Sequence, residues 1–332
     1  MLTITLLKKH TEGRWQSEEL DRLPSEISSD ETLWIDAQDP TEVEIKELTE
    51  FFELDEQTIQ ELAKEGARSR IDENEDRIFC SLLYPKENFI AKGEMQSISM
   101  LVCSRWIITM HKGYSELTCN VFKKIATHGY FSLSLIPSTD IMLYILLDSA
   151  LSEYFPVSDS AFENIEALNR EAGSFFRDRS GQVNRGFIGK VVNLRDKLFS
   201  LRQSLSPFLE IISRITRGEF ALIQGVNLPR FGNLYDKTIQ LVELVNAHRE
   251  EMNNLRDVLV NVQTVTTNNI IRILTIISAI FLPLTLIAGL YGTNFPRGVP
   301  EISSPIGFYI LIIVMIVIAL SLALLFKLRK WF

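Results

Sequence analysis

Asn268, Ile271, Thr275, Ser278, Leu282, Thr285, Gly289 and Gly292 follow one another at intervals of three and four, the spacing that lays side chains along one face of a helix. Six of the eight are small or polar, although they lie in an apolar run. Amides and hydroxyls so arranged can hydrogen-bond water or a neighbouring helix, and Ile271 and Leu282 interrupt them with apolar bulk. The stripe therefore suits either a packing seam between membrane helices or a pore wall gated by dewetting at Ile271 and Leu282. Asn268 at one end and Asn294 at the other bracket it, and Asn294 belongs to a small polar turn, Gly292-Thr293-Asn294, that Pro296 and Pro300 keep from continuing as helix.

Little else points to chemistry. Cys80, Cys103 and Cys119 are far apart and form no CxxC pair, so they read as reduced thiols. His10, His111, His128 and His248 are scattered, and Glu251 beside His248 reads as part of a solvated helix face. The acidic run IDENEDR lacks the glycine and distant glutamate of an EF-hand and reads as a solvated turn. No nucleophile elbow, Walker loop or GxGxxG is present. The chain is thus expected not to be an enzyme and to need no resident cofactor. A net charge of -8 argues against nucleic acid as a partner and permits attraction of cations.

The elements that must carry the stripe are two apolar runs, Ile270 to Tyr291 and Ile306 to Phe326, each of the roughly 20 residues that cross a bilayer. Lys327, Arg329 and Lys330 follow the second run, so the positive-inside rule places both termini in the cytoplasm and the connecting turn outside. The N-terminal stretch MLTITLLKKHTEGRW is too briefly apolar for a signal peptide. Two spans cannot enclose a pore. Conduction would demand a homo-oligomer in the lipid bilayer with its axis along the first span.

Ahead of the spans, TLWIDA, RIFCSLLYP, SISMLVC and WIITMH read as strands, and one helix is expected from Asp39-Pro40-Thr41 to Gly66. From about Thr139 the pattern is all helical, with a connection at DRSGQVNRG. A stalk helix from about Leu234 into the first span carries a seam of Ile239, Val242, Val245, Met252, Leu255, Leu259 and Val262. The expected class is an α+β membrane protein, divided into a cytoplasmic α/β domain (1–130), a helical region (131–230), the stalk (231–269), the first span (270–291), an outer loop (292–305), the second span (306–326) and a basic tail (327–332).

NIIRILTIISAIFLPLTLIAGLYGTNF closely resembles the pore helix and signature turn of the CorA family of divalent-cation channels, through Pro283, Thr285, Gly289, Tyr291, Gly292, Asn294 and Phe295. LWIDAQDPTE, WIITMH, YILLDSALSEYFPV, LRDKLFSLRQSLSP and FKLRKWF resemble further blocks in the family's order. The resemblance implies a homopentameric funnel in the plasma or inner membrane. It implies ion selection at Gly292 and Asn294, with Asn294 holding magnesium through retained water, a pore lined by Asn268, Ile271, Leu274, Leu282 and Thr285, and a cytoplasmic throat at Asp257. Regulatory magnesium between cytoplasmic domains is also implied, without assignable ligands. Glu301 is a candidate for concentrating cations at the outer mouth, with Arg297 opposing it. Thr293 stands where magnesium channels of this family have Met, and the related ZntB zinc transporters have Ile there. Zinc transport with proton coupling, and a non-conducting scaffold or regulator, are the alternatives to import of magnesium, cobalt or nickel.

Overall fold

The computed structural model describes residues 1–9, 15–24, 26–28, 31–64, 66, 68–74, 76–126, 138–177, 185–292, 306–329 and 331. The chain divides into two compact units, one of residues 1–169 and 186–254, the other of 170–185 and 255–332.

The first unit is built on seven strands: β1 (Leu2–Lys9), β2 (Trp15–Leu20), β3 (Glu31–Gln38), β4 (Arg70–Asn74), β5 (Arg77–Pro85), β6 (Met95–Val102) and β7 (Trp106–His111). They form one sheet in the order β2-β1-β3-β7-β6-β5-β4. Among the described residues, β3 and β7 are the parallel pair and the other pairs are antiparallel. Successive side chains of a strand point to opposite faces, and the two faces build separate cores. Leu33, Ile35, Ala37, Ile108 and Met110 pack with α1 (Glu42–Phe52) and α2 (Glu56–Leu62). Trp34, Ile78, Cys80, Leu82 and Ile107 pack beneath the helices that follow α3 (Phe89–Lys92), namely α4 (Glu116–Ala126) and α5 (Thr139–Ser152). Coverage on both sides explains why β3 is buried along almost its whole length.

The IDENEDR stretch is a hairpin and not only a turn, because Arg70–Asn74 pairs with β5, with Ile71 buried and the other four residues of the strand exposed. The single helix expected from Thr41 to Gly66 is two. Thr41 opens α1 with a reciprocal capping box to Glu44, but Glu53 adopts the left-handed conformation (φ 49°) and Asp55 caps α2 through the Thr58 amide at 2.6 Å. Asp competes with helix continuation by bonding the backbone itself.

The helical part comprises α5, α6 (Tyr154–Arg177), α7 (Arg185–Thr216) and α8 (Leu228–Tyr291), followed by α9 (Gly307–Leu328). Most of the connection expected at DRSGQVNRG lies outside the described residues. The helix α8 has 64 residues and contributes to both units. In the first unit its buried positions are Phe231, Leu234, Thr238, Leu241, Val242, Val245, His248 and Met252. Thr238 and His248 hold places in the seam that apolar periodicity missed, while Ile239 is only half-buried. His248 is not on a solvated face: it is 5% exposed, and its Nε2 lies 3.1 Å from Ser158 Oγ on α6. Glu251 accepts a hydrogen bond from Asn169 at 2.9 Å.

In the second unit, α8 and α9 each contain a stretch long and apolar enough to cross a membrane. The 22 residues of α9 would span about 33 Å, against a hydrocarbon core of about 30 Å. No residue of α9 is buried within the chain.

Candidate functional site

The candidate site is one face of the membrane half of α8. Its opposite face is the covered one: Ile276 is buried, and Ala279, Ile280, Pro283, Leu284 and Ile287 are half-buried. Pro283 removes the amide that would have bonded the Ala279 carbonyl, and both residues lie on this covered side while the helix continues through them. A helix turns about 100° per residue. On that basis Ile271, Thr275, Ser278, Leu282, Thr285 and Gly289 centre about 150° round from the covered face. All of them are exposed, as are Asn268, Leu274 and Gly292. The apolar members present substantial surface, with Ile271 54%, Leu274 62% and Leu282 69% exposed.

The hydroxyls on this face have a defined polarity. Thr275 donates to the Ile271 carbonyl and Thr285 to the Phe281 carbonyl, each at 2.8 Å. A hydroxyl whose proton is committed to the backbone can only accept from elsewhere. Each threonine therefore presents outward an oxygen suited to the hydrogens of water or of a hydrated cation.

Gly292 follows directly on the last residue of α8. Its amide bonds the Ala288 carbonyl at 2.9 Å and its φ is not left-handed, so no glycine-only backbone conformation is required there. A Cβ at this position would come within 3.1 Å of the Ala288 oxygen, so close approach is the constraint instead. Asp257 is exposed on the same helix. Thr293, Asn294, Arg297 and Glu301 lie outside the described residues. One helix face can line a path but not enclose it.

A second polar arrangement, missed from the sequence, sits where the parallel strands end. Asp36 and Thr109 are register partners on β3 and β7 and are joined by a short hydrogen bond from Thr109 Oγ1 to Asp36 Oδ1. Trp34 Nε1 donates to Thr109 Oγ1 at 3.1 Å, and His111 Nε2 lies 3.2 Å from Asp36 Oδ2. His111 Nδ1 donates to the Gly113 carbonyl at 2.9 Å, and the Gly113 amide bonds Asp39. With an acceptor at each ring nitrogen, the surroundings of His111 favour its protonated form. Burial pulls its pKa down, but the hydrogen bond and charge of Asp36 outweigh it and the net direction is up. The side chains of His111 and Asp36 are only 1% and 7% exposed, so this network ties two turns together and offers no open reaction site. Strand register would have revealed it; residue spacing along the chain does not. Among the described residues, no group of three or more His, Cys, Asp or Glu could hold a metal ion.

Comparison with known proteins adds four findings. Residues 29–330 match the family model described as CorA-like Mg2+ transporter protein. The cobalt/magnesium transport protein CorA of Thermotoga maritima is 27% identical over 290 residues, covering 86% of this chain and 79% of the relative. The complete structure of the CorA magnesium transporter from Methanocaldococcus jannaschii superposes with a TM-score of 0.84 at 21% identity, covering 99% of this chain and 98% of that one. A zinc transport protein, ZntB of Pectobacterium carotovorum, is 24% identical over 143 residues, 43% of each chain.

Proposed function

Because the chain belongs to the CorA-like Mg2+ transporter family, whose model spans residues 29–330, we propose that it is a homopentameric membrane channel or transporter passing hydrated divalent cations into the cytosol. Magnesium is the first substrate in this reading, with cobalt and nickel as companions. The observation that carries it is the exposed face of α8, where threonine oxygens face outward opposite the side the chain covers for itself. Five such faces round a common axis form the wall, and α9 forms an outer ring against lipid. Both termini are cytoplasmic, and the domain scheme from the sequence applies.

Magnesium sheds its inner water reluctantly. A wall of neutral acceptors can hold the retained water shell at several weak sites, which permits both binding and release. In this reading Asn294 selects the hydrated ion at the outer mouth, helped by Glu301, and Asp257 receives it at the throat. A negative-inside potential favours influx by about 2.3 kcal/mol per charge per 100 mV, hence about 4.6 kcal/mol for a divalent ion.

The test uses purified full-length protein in liposomes loaded with a magnesium-sensitive dye, under a gradient and a negative-inside potential. A magnesium-dependent signal is expected; its absence refutes transport and leaves the scaffold alternative. Asn294→Ala is expected to alter influx, and unchanged magnesium and zinc rates in that variant would remove Asn294 from the site. Thr293, together with the zinc transport relative, supports a second reading in which zinc is the preferred ion. It predicts faster influx of zinc than of magnesium at equal concentration.

A further inference from the structure

We infer that the α/β domain carries a binding site for a small aromatic acid, a single ring with a carboxylate at one end and a hydroxyl at the other, in the cavity between α2 and strands β6 and β7. The inference is independent of the transport reading. The cavity has a volume of about 320 Å³ and reaches Asp39 and Lys112, the residues that directly follow the ends of β3 and β7. The crevice outside the carboxyl ends of parallel strands is where α/β sheets take up ligands. A dry cavity of about 150 Å³ is enough for benzene, so this one admits a ring with a substituent at each end.

Ser99 is the residue that points to a ligand. It is 2% exposed and sits on the sheet face that α1 and α2 cover, where Leu101 and its register partner Met110 are core residues. The serines beside it on that face are both engaged: Ser97 accepts from the Gly66 amide at 3.1 Å, and Ser81, its register partner on β5, donates to the Arg68 carbonyl at 3.0 Å. No described group bonds the Ser99 hydroxyl, whose remaining surface is on the cavity it lines. A buried hydroxyl without a partner is costly, so a bound group that supplies one gains there. A phenolic hydroxyl both donates and accepts, as serine does. Around Ser99 the wall is apolar: Leu62 and Met110 are buried and Ile45 half-buried, and a methionine sulfur packs favourably at a ring edge. At the exposed rim stand Lys64 and Lys112 against one carboxylate, Asp39, an oxygen of which already accepts from the Gly113 amide at 2.9 Å. The other charged group of the lining, His111, is matched by Asp36. The rim is therefore net positive and the floor apolar with one hydroxyl, which orients an acid with its carboxylate outward and its hydroxyl on Ser99.

The experiment titrates purified full-length protein in detergent by calorimetry, with protein-free micelles as the blank, using 4-hydroxyphenylacetate, phenylacetate and 4-hydroxyphenylacetamide as probes. Wild type is expected to bind 4-hydroxyphenylacetate about fivefold more tightly than phenylacetate, the factor of one ordinary hydrogen bond. In Ser99→Ala that preference disappears while phenylacetate binds as before. The uncharged amide is expected to bind up to about fivefold more weakly than the acid, the range of an exposed ion pair. Lys112→Gln narrows that gap, whereas Lys46→Gln, on the exposed side of α1 away from the cavity, leaves it at the wild-type value. Absence of saturable binding at millimolar concentration, which means a cavity holding water only, overturns the site. Equal affinities of wild type for the two acids, a preference that survives Ser99→Ala, or equal effects of the two lysine variants each overturn it as well. The wild-type ratio between the two acids decides the matter whether or not a variant folds.

Discussion

Replacing Asp36 by Asn tests whether the α/β domain is held by a buried charge pair. The Asp36 carboxylate accepts from Thr109 and faces His111 at 3.2 Å, with the His111 and Asp36 side chains 1% and 7% exposed. Asparagine keeps the shape but leaves an imidazolium without a counter-charge. Breaking a buried pair by removing one partner costs about 3–5 kcal/mol. Because His111 can shed its proton, the lower end, about 3 kcal/mol, is expected. For a unit of this size that lowers Tm by about 6–12 °C. Trp34, stacked on Phe122 at 3.9 Å and bonded to Thr109, makes intrinsic fluorescence a direct reporter of the melt. The pH dependence has a definite sign. A histidine whose folded pKa is raised contributes fully below its ordinary value of 6.5 and loses that contribution as pH rises through the folded value. Wild type should therefore lose Tm from about pH 6.5 upward, and Asp36→Asn should lose much less over that window. A variant melting within about 2 °C of wild type, or parallel pH profiles, would refute the imidazolium assignment.

His248 should respond oppositely. Burial holds its pKa down against the pull of Glu251 and Asp159, so its protonation on acidification below about pH 6.5 places a charge between α8 and α6. Faster amide exchange in α6 near Ser158 at pH 5.5 than at 7.5, abolished in His248→Gln, is the expected outcome. Thr41→Ala removes the side-chain half of the capping box, the acceptor for the Glu44 amide, while the Thr41 amide stays bonded to Glu44; it should cost about 1 kcal/mol, read as a drop of about 2–4 °C in Tm.

Much of this structure is legible wherever one physical requirement governs a stretch. β5 and β7 coincide with RIFCSLLYP and WIITMH because both strands must be apolar on both faces. The hairpin of β1 and β2 escaped notice because Trp15–Leu20 carries polar residues such as Gln16 and Glu18 at a sheet edge, where only β1 pairs with it. The exposed stripe of α8 follows from spacing alone, since one helix fixes its own faces. The Asp36–His111 network does not, because it joins residues 75 apart through a register that local pattern leaves open. His248 shows the same limit: a polar residue at a seam position reads as solvent-facing until its partner Ser158, 90 residues away, is known.

The uninterrupted course of α8 also constrains how this sequence can change length. Between Val262 and Ile276 nothing relieves rotation: the helix has no break there in which an added residue could be absorbed. Deleting one residue would turn everything beyond it by about 100°, carrying the threonine oxygens off their line and bringing Leu286 and Leu290 toward it. A deletion of seven would turn it by only about 20°. Tolerated length changes in this segment should therefore come in sevens, as in a keyed shaft that can be shortened only by whole teeth. A single-residue deletion should abolish magnesium influx while leaving the Asp36–His111 melt untouched.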